Sequence, residues 1–421
     1  MNWKLTPVQR KTVIAAYLGW ALDAFDFFLM VFVLKDIAQA FGSDITKVSW
    51  AITVTLAARP LGALIFGRIA DRWGRRPALM VDIGLFALID VLTAFSPSLE
   101  VLIALRFIFG IAMGGEWGVG AALALETVPA QARGFVSGLL QAGYPTGYLL
   151  AALVFGVLYT HIGWRGMFIV GALPALLVLF IRRHVPESQA WEGQRSKTGG
   201  VPAGLLETMR GHWMLGLYAI VLMTAFNFFS HGTQDLYPTF LREQLHLGVE
   251  TVSLITIVLN IGAIVGGLSF GSLSERIGRR RAIALAAVIA LPVLPLWAYS
   301  TTPLWLAVGA FLMQISVQGA WGVIPAHLNE MAPVAIRATF PGLVYQLGNL
   351  LASANATIQS SVAQSRGGDY AFALAATAGI VAVVIVVLIL TGREWRGVDM
   401  SADAAGRVAL DQASLSHGLR S

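Results

Sequence analysis

The chain has 421 residues, 57% of them hydrophobic and only 12% charged, with a mean hydropathy of +0.71. Soluble domains carry roughly 25% charged residues, so this composition belongs in a lipid bilayer. The chain has no cysteine, which excludes disulfides, thiolate metal sites and cysteine nucleophiles, and its net charge of +6 is dispersed between apolar segments rather than gathered into a nucleic-acid footprint.

At ~20 apolar residues per span, twelve transmembrane helices are predicted, near 13–35, 48–70, 77–95, 99–125, 135–160, 164–183, 214–240, 250–273, 282–300, 303–328, 339–362 and 370–391. The first is long, holds two aspartates and lacks a small-residue cleavage site, so no signal peptide is expected. Basic residues fall in alternate loops: Lys4 to Lys11, 68–76, Arg133, 182–197, 276–281, Arg337 and 393–407. That pattern predicts that both termini are cytoplasmic.

The polar stretch 186–212 reads as a cytoplasmic linker between an N-terminal six-helix bundle, 1–185, and a C-terminal one, 213–392. Residues 393–421 are expected to form a disordered cytoplasmic tail. The two bundles are an internal repeat. An offset of 204 carries Gly67, Asp71, Arg72, Gly74, Arg75 and Arg76 onto Gly271, Glu275, Arg276, Gly278, Arg279 and Arg280. It also carries Glu126, Pro129, Arg133 and Gly138 onto Glu330, Pro333, Arg337 and Gly342, and Asp23 onto Asn227. The expected fold is therefore all-α, two pseudo-symmetric six-helix bundles with a substrate site near the midplane between them.

Within the seventh span, Asn227, His231, Gln234 and Asp235 recur at i, i+4, i+7 and i+8 and form one polar stripe. Intramembrane polar groups are costly unless they face a cavity or a partner, so the stripe is either part of a site or a helix–helix hydrogen-bond seam. Arg59 lies twelve residues before Asp71, ~18 Å along the helix, which puts a charge near the bilayer centre. A buried arginine needs an anion, either an aspartate or a substrate carboxylate that matches its fork.

Asp23 and Asp26 lie at similar depth, one turn apart, and suit reversible protonation; Asp235 and His231 are further candidates to carry a coupling proton. Asp82 and Asp90 rank behind them. Arg106 is expected to pair with an acid such as Asp23. Tyr144, Tyr148 and Tyr345 are expected cavity lining, and Gln314, Gln318, Gln346, Asn349, Asn355 and Gln359 add hydrogen-bonding capacity in spans ten and eleven.

Gly67-x-x-x-Asp71-Arg72-x-Gly74-Arg75-Arg76 resembles the signature of the major facilitator superfamily, and Gly143-Tyr144-Pro145-Thr146-Gly147 resembles its helix 5 hinge. Asn227, Ser230, His231, Thr233, Gln234, Asp235 and Thr239 fit N-x-x-[ST]-H-x-[ST]-Q-D-x-x-x-T, which resembles the lactate/pyruvate–proton permeases best described in fungi. The stretch Gly19 to Phe27 is similar to bacterial sialate–proton symporters.

These resemblances imply a proton-coupled symporter of a short monocarboxylate working by alternating access, with sialate or an aromatic acid as the alternative substrate and a non-transporting receptor or scaffold as the remote one. Arg59, Asn227, His231, Gln234, Tyr144 and Gln346 would bind substrate. Asp26, Asp235, Asp23 and His231 would carry the proton. Gly67, Asp71, Arg72, Arg75, Glu126, Arg133, Glu275, Arg276, Arg279, Glu330 and Arg337 would form cytoplasmic gates. Neither a P-loop, a metal-ligand cluster nor a nucleophile–base spacing is found, so no enzyme, cofactor or metal is expected. The expected partners are a small organic anion, protons and the bilayer, with the carrier a monomer in a bacterial inner membrane.

Overall fold

The computed structural model describes residues 4–197 and 205–400. Twelve membrane helices are present: α1 (Pro7–Phe32), α2 (Ile45–Trp73), α3 (Arg75–Ala94), α4 (Leu99–Thr127), α5 (Arg133–Gln141 and 143–162) and α6 (164–171 and Ala175–His184) form the first half. The second half holds α7 (Trp213–Gln234), α8 (Val249–Ile277), α9 (Arg279–Tyr299), α10 (Pro303–Met331), α11 (Thr339–Ala352 and Asn355–Ser365) and α12 (Tyr370–Thr391). Nine helices among the described residues are each long and apolar enough to cross a bilayer. One of these, 130–184, contains two spans divided at Gly163, and α4 and the broken α11 complete the twelve.

Local chemistry fixes the ends of these helices. Thr6 and Gln9 form a reciprocal capping box at α1, and the Asp44 carboxylate accepts the Lys47 N–H at 2.8 Å to open α2. Single glycines join α2 to α3 and α8 to α9: Gly74 at φ 114° and Gly278 at φ 96° take a backbone conformation that side chains resist. Beyond α7 the chain passes through a turn at Tyr237–Thr239 into a π turn over Phe240–Gln244.

The repeat extends to individual contacts. A Cβ on Gly62 would strike the Ile111 backbone, and a Cβ on Gly266 would strike that of Ile315, the same contact displaced by 204 residues. With little hydrophobic drive between helices in lipid, such small-residue approaches hold α2 on α4 and α8 on α10. The halves meet through α2 against α11 and α5 against α8 and α10.

The expected linker includes two short helices, Gln189–Lys197 and Leu205–Gly211; 198–204 lies outside the described residues. Residues 393–400 of the expected tail pack on the bundle ends, with Met400 2% exposed, and the remainder lies outside the described residues. Burial disfavours the ionised Glu394, but the backbone N–H groups of Arg280, Arg396 and Arg279 outweigh it and hold the carboxyl below its ordinary range. A depressed folded-state pKa stabilises above the unfolded value and is lost as pH falls through the folded one.

Gly62→Ala is expected to cost about 1–3 kcal/mol by overpacking, lowering the thermal midpoint of the detergent-solubilised protein. Gly84→Ala, in mid-helix where a Cβ meets nothing within 4 Å, should hold or raise that midpoint in the same thermal scan.

Candidate functional site

Between the halves lies a cavity of about 360 Å³. From the first half it is walled by Trp20, Arg59 and Tyr144, and from the second by Asn227, His231, Gln234 and Asp235 of α7. Five of the six residues expected to bind substrate line it: Asn227, His231 and Gln234 share one wall through their helical spacing, and Arg59 and Tyr144 join from α2 and α5. Gln346 does not line it. That residue is 1% exposed, and its neighbours Tyr345 and Asn349, one turn apart, take the cavity face of α11 instead.

Arg59 is 3% exposed and makes no ion pair among the described residues. Its Nε and Nη2 have no hydrogen-bond partner, and the guanidinium lies 6.0 Å from the Trp20 ring centre and 5.9 Å from that of Tyr345. Aromatic faces compensate a cation partially, but two nitrogens of a planar fork keep unused N–H groups. An oxyanion is the complementary group.

The α7 stripe is both seam and cavity wall. Gln234 Nε2 donates to Gln314 Oε1 at 3.1 Å, and Trp321 Nε1 donates to the Phe226 carbonyl at 3.2 Å. His231 bridges Asp235 and Asn349: Nδ1 lies 3.1 Å from Asp235 Oδ2 and Nε2 lies 2.9 Å from Asn349 Oδ1. The side chains of His231 and Asp235 are 36% and 40% exposed, so water reaches the cavity there. They sit at the end of α7 distant from the basic loops.

Asp23 and Asp26 are 0% and 1% exposed, do not line the cavity, and none of their carboxyl oxygens meets a donor. They belong to a set of buried acids inside the first half with Asp82, Asp90 and Glu116. Arg106 does not pair with Asp23 as expected. It bonds Asp90 and donates to Thr93 Oγ1 at 3.1 Å, with its guanidinium 4.1 Å from the Phe109 ring centre. Asp90 lies fifteen residues into α3, within hydrogen-bond reach of Arg106 on the adjacent α4, whereas Asp23 is within electrostatic reach of Arg59 without an ion pair to it. Glu116 was legible only as an acid in a glycine-rich helix, since the glycines that admit it, Gly19 and Gly120, come from two helices.

The end of the cavity nearest the basic loops is closed. Asp71 accepts the backbone N–H groups of Ala338 and Thr339 at 3.0 and 3.1 Å and the Thr339 hydroxyl at 2.6 Å, all from the other half. A Cβ on Gly67 would stand 2.6 Å from the Thr339 Cα. Reciprocally, Glu275 accepts the Gly134 N–H. Arg75 grips Glu126 at 3.0 and 3.2 Å and Asp71 at 3.2 Å; Arg279 grips Glu330 at 2.9 and 3.0 Å and Glu275 at 2.7 Å. Each central glutamate also faces an arginine of the opposite half, Glu126 with Arg337 at 3.8 Å and Glu330 with Arg133 at 3.7 Å. Arg72 and Arg276 have exposed side chains outside these networks, one residue past the inward-facing acid and so turned ~100° around the helix.

The family model of the Major Facilitator Superfamily matches residues 16–234 and 220–407. The chain belongs to the Major Facilitator Superfamily. It is an integral membrane transporter, not an enzyme. This superfamily member is 30% identical to the carboxylic acid transporter protein homolog of Saccharomyces cerevisiae over 92% of its own length and 68% of that protein. It is 29% identical to the sialic acid transporter NanX of Escherichia coli over 82% of its length and 85% of that protein. The solved proton:xylose symporter XylE superimposes with a TM-score of 0.77 at 18% identity, covering 94% of this chain and 98% of that one, a likeness of fold.

Arg106→Gln leaves Asp90 buried and unpaired and is expected to cost about 3–5 kcal/mol. Adding Asp90→Asn should recover most of that loss in a thermal or denaturant series; no recovery in the double variant contradicts the pairing.

Proposed function

We propose that this superfamily member is a proton-coupled symporter of a short monocarboxylate of the lactate/pyruvate class. The observation that carries the reading is Arg59: two unpartnered nitrogens of a permanent cation, in the wall of a cavity that water reaches from one side. A substrate carboxylate would supply the missing anion, while Asn227, His231, Gln234 and Tyr144 would bind the rest of the molecule. The names of the yeast and bacterial relatives, carboxylic acid and sialic acid transporters, support the carboxylate.

Proton coupling follows from charge balance. An anion crossing the midplane without a compensating proton is costly. Asp26, buried without a donor, and Asp235, paired with His231 at the wet end, are our first choices for the proton; Asp23 and His231 come next. The networks of Asp71, Arg75, Glu126, Arg133, Glu275, Arg279, Glu330 and Arg337 would latch the basic-loop side, which we assign to the cytoplasm of a bacterial inner membrane.

One observation favours a larger acid. The cavity of about 360 Å³ falls within the roughly 300–1,000 Å³ of sites for drug-sized ligands, and the rings of Trp20, Tyr144, Trp321 and Tyr345 line it. Sialate or an aromatic acid is therefore the second reading.

Proteoliposomes under an imposed inward proton gradient separate the two: accumulation of labelled lactate supports the first, sialate without lactate the second, and neither acid moving contradicts both. Arg59→Gln, which removes charged hydrogen bonds each about 1.5–3 kcal/mol strong, is expected to raise the KM for the transported acid roughly 10- to 100-fold or more. Asp26→Asn should retain counterflow exchange yet lose gradient-driven accumulation. Unaltered accumulation by Asp26→Asn moves the proton to another acid.

A further inference from the structure

The chain leaving α12 and the chain leaving α6 begin alike. Glu187 accepts the Arg75 N–H at 3.0 Å and the Arg76 N–H at 3.2 Å, capping α3. Glu394 accepts the Arg279 and Arg280 N–H groups, each at 3.1 Å, capping α9. Two to four residues later each segment donates to the free carbonyls where the preceding helix ends. Trp191 Nε1 reaches the Asp71 carbonyl at 2.9 Å, and Arg396 Nη1 reaches those of Glu275 and Arg276 at 3.1 and 2.9 Å. Asp71 and Glu275 are equivalent positions of the repeat.

From there the two segments diverge. The first continues as the helix Gln189–Lys197. The second turns at Gly397, whose φ of 77° is a conformation that favours glycine, and leaves its own half. The Val398 carbonyl accepts Arg133 Nη1 of the first half at 2.6 Å, and the Met400 carbonyl accepts Arg337 Nη1 at 2.8 Å. Met400 is 2% exposed, and with Gly397 it lines a space of about 550 Å³ shared with Pro129 and Ala130 of the first half. The direct ion pairs of these two arginines across the halves are looser, at 3.7 and 3.8 Å.

We propose that residues 397–400 are a strap that holds the two bundles together on the basic-loop side, with Arg133 as its keeper. Three of its attachments, to α9 through Glu394, to the end of α8 through Arg396 and to Arg337, lie on the half from which the strap originates and travel with it. The bond between Val398 and Arg133 crosses the interface. When the bundles part on this side, that bond breaks. The strap thus adds an interaction between the halves to the closed state.

Ala326 reports opening, because it is fully buried and its N–H donates to Ser137 Oγ across the interface at 3.0 Å. The chain has no native cysteine, so an Ala326→Cys reporter reacts alone with a maleimide. Ending the chain after Arg396 is expected to raise the labelling rate several-fold over the full-length reporter. Gly397→Val in the full chain should do the same by opposing the turn, and it stands in if the shortened protein does not fold. Labelling at the full-length rate in either folded variant overturns the strap. None of these readouts requires that lactate or any other acid be transported.

Discussion

A positive charge that lipid cannot shed and the protein does not neutralise organises this carrier. Arg59 cannot lose its proton, and its guanidinium has aromatic faces on two sides but no carboxylate within ion-pair range among the described residues. Arg106, in the adjacent α4, shows the alternative: it is bonded to Asp90 and flanked by the rings of Phe109 and Phe168. One arginine has its anion built in, while the other faces a cavity. The cost of burying an unsatisfied cation makes that difference chemically meaningful.

The rest of the fold presents that charge to one side of the membrane at a time. Sequence duplication supplies two equivalent half-gates, each an arginine that grips one glutamate and one acid of its own half. Their fit is reciprocal: Asp71 caps the start of α11, and Glu275 receives the Gly134 N–H at the start of α5. Both contacts depend on backbone brought close by small residues, so the closed end is as much a packing interface as an ionic one. The symmetry is broken where function needs it: the first half holds the buried acids and the cation, the second the hydrogen-bonding stripe.

Much of this was legible in the sequence, for identifiable reasons. Apolar runs and the 204-residue offset reveal the spans, the repeat and the equivalence of Asp71 with Glu275, because all three depend on periodicity alone. The spacing of Asn227, His231, Gln234 and Asp235 places them on one wall of the cavity. Partner choice was not legible. Arg106 to Asp90 rather than Asp23 depends on the relative height of α3 and α4, and the exclusion of Gln346 in favour of Tyr345 and Asn349 depends on how α11 is rotated. The path of residues 397–400 across the interface turns on one glycine torsion. These are rotations and offsets between elements, which composition and spacing within an element do not encode.

The claim that an unpartnered guanidinium awaits a carboxylate has a direct test in binding to the purified protein. Trp20 and Trp321 line the cavity, so tryptophan fluorescence reports occupancy. A transported acid should shift the emission saturably while its uncharged amide, of nearly the same shape, does not at the same concentrations. Equal binding of acid and amide would contradict the account.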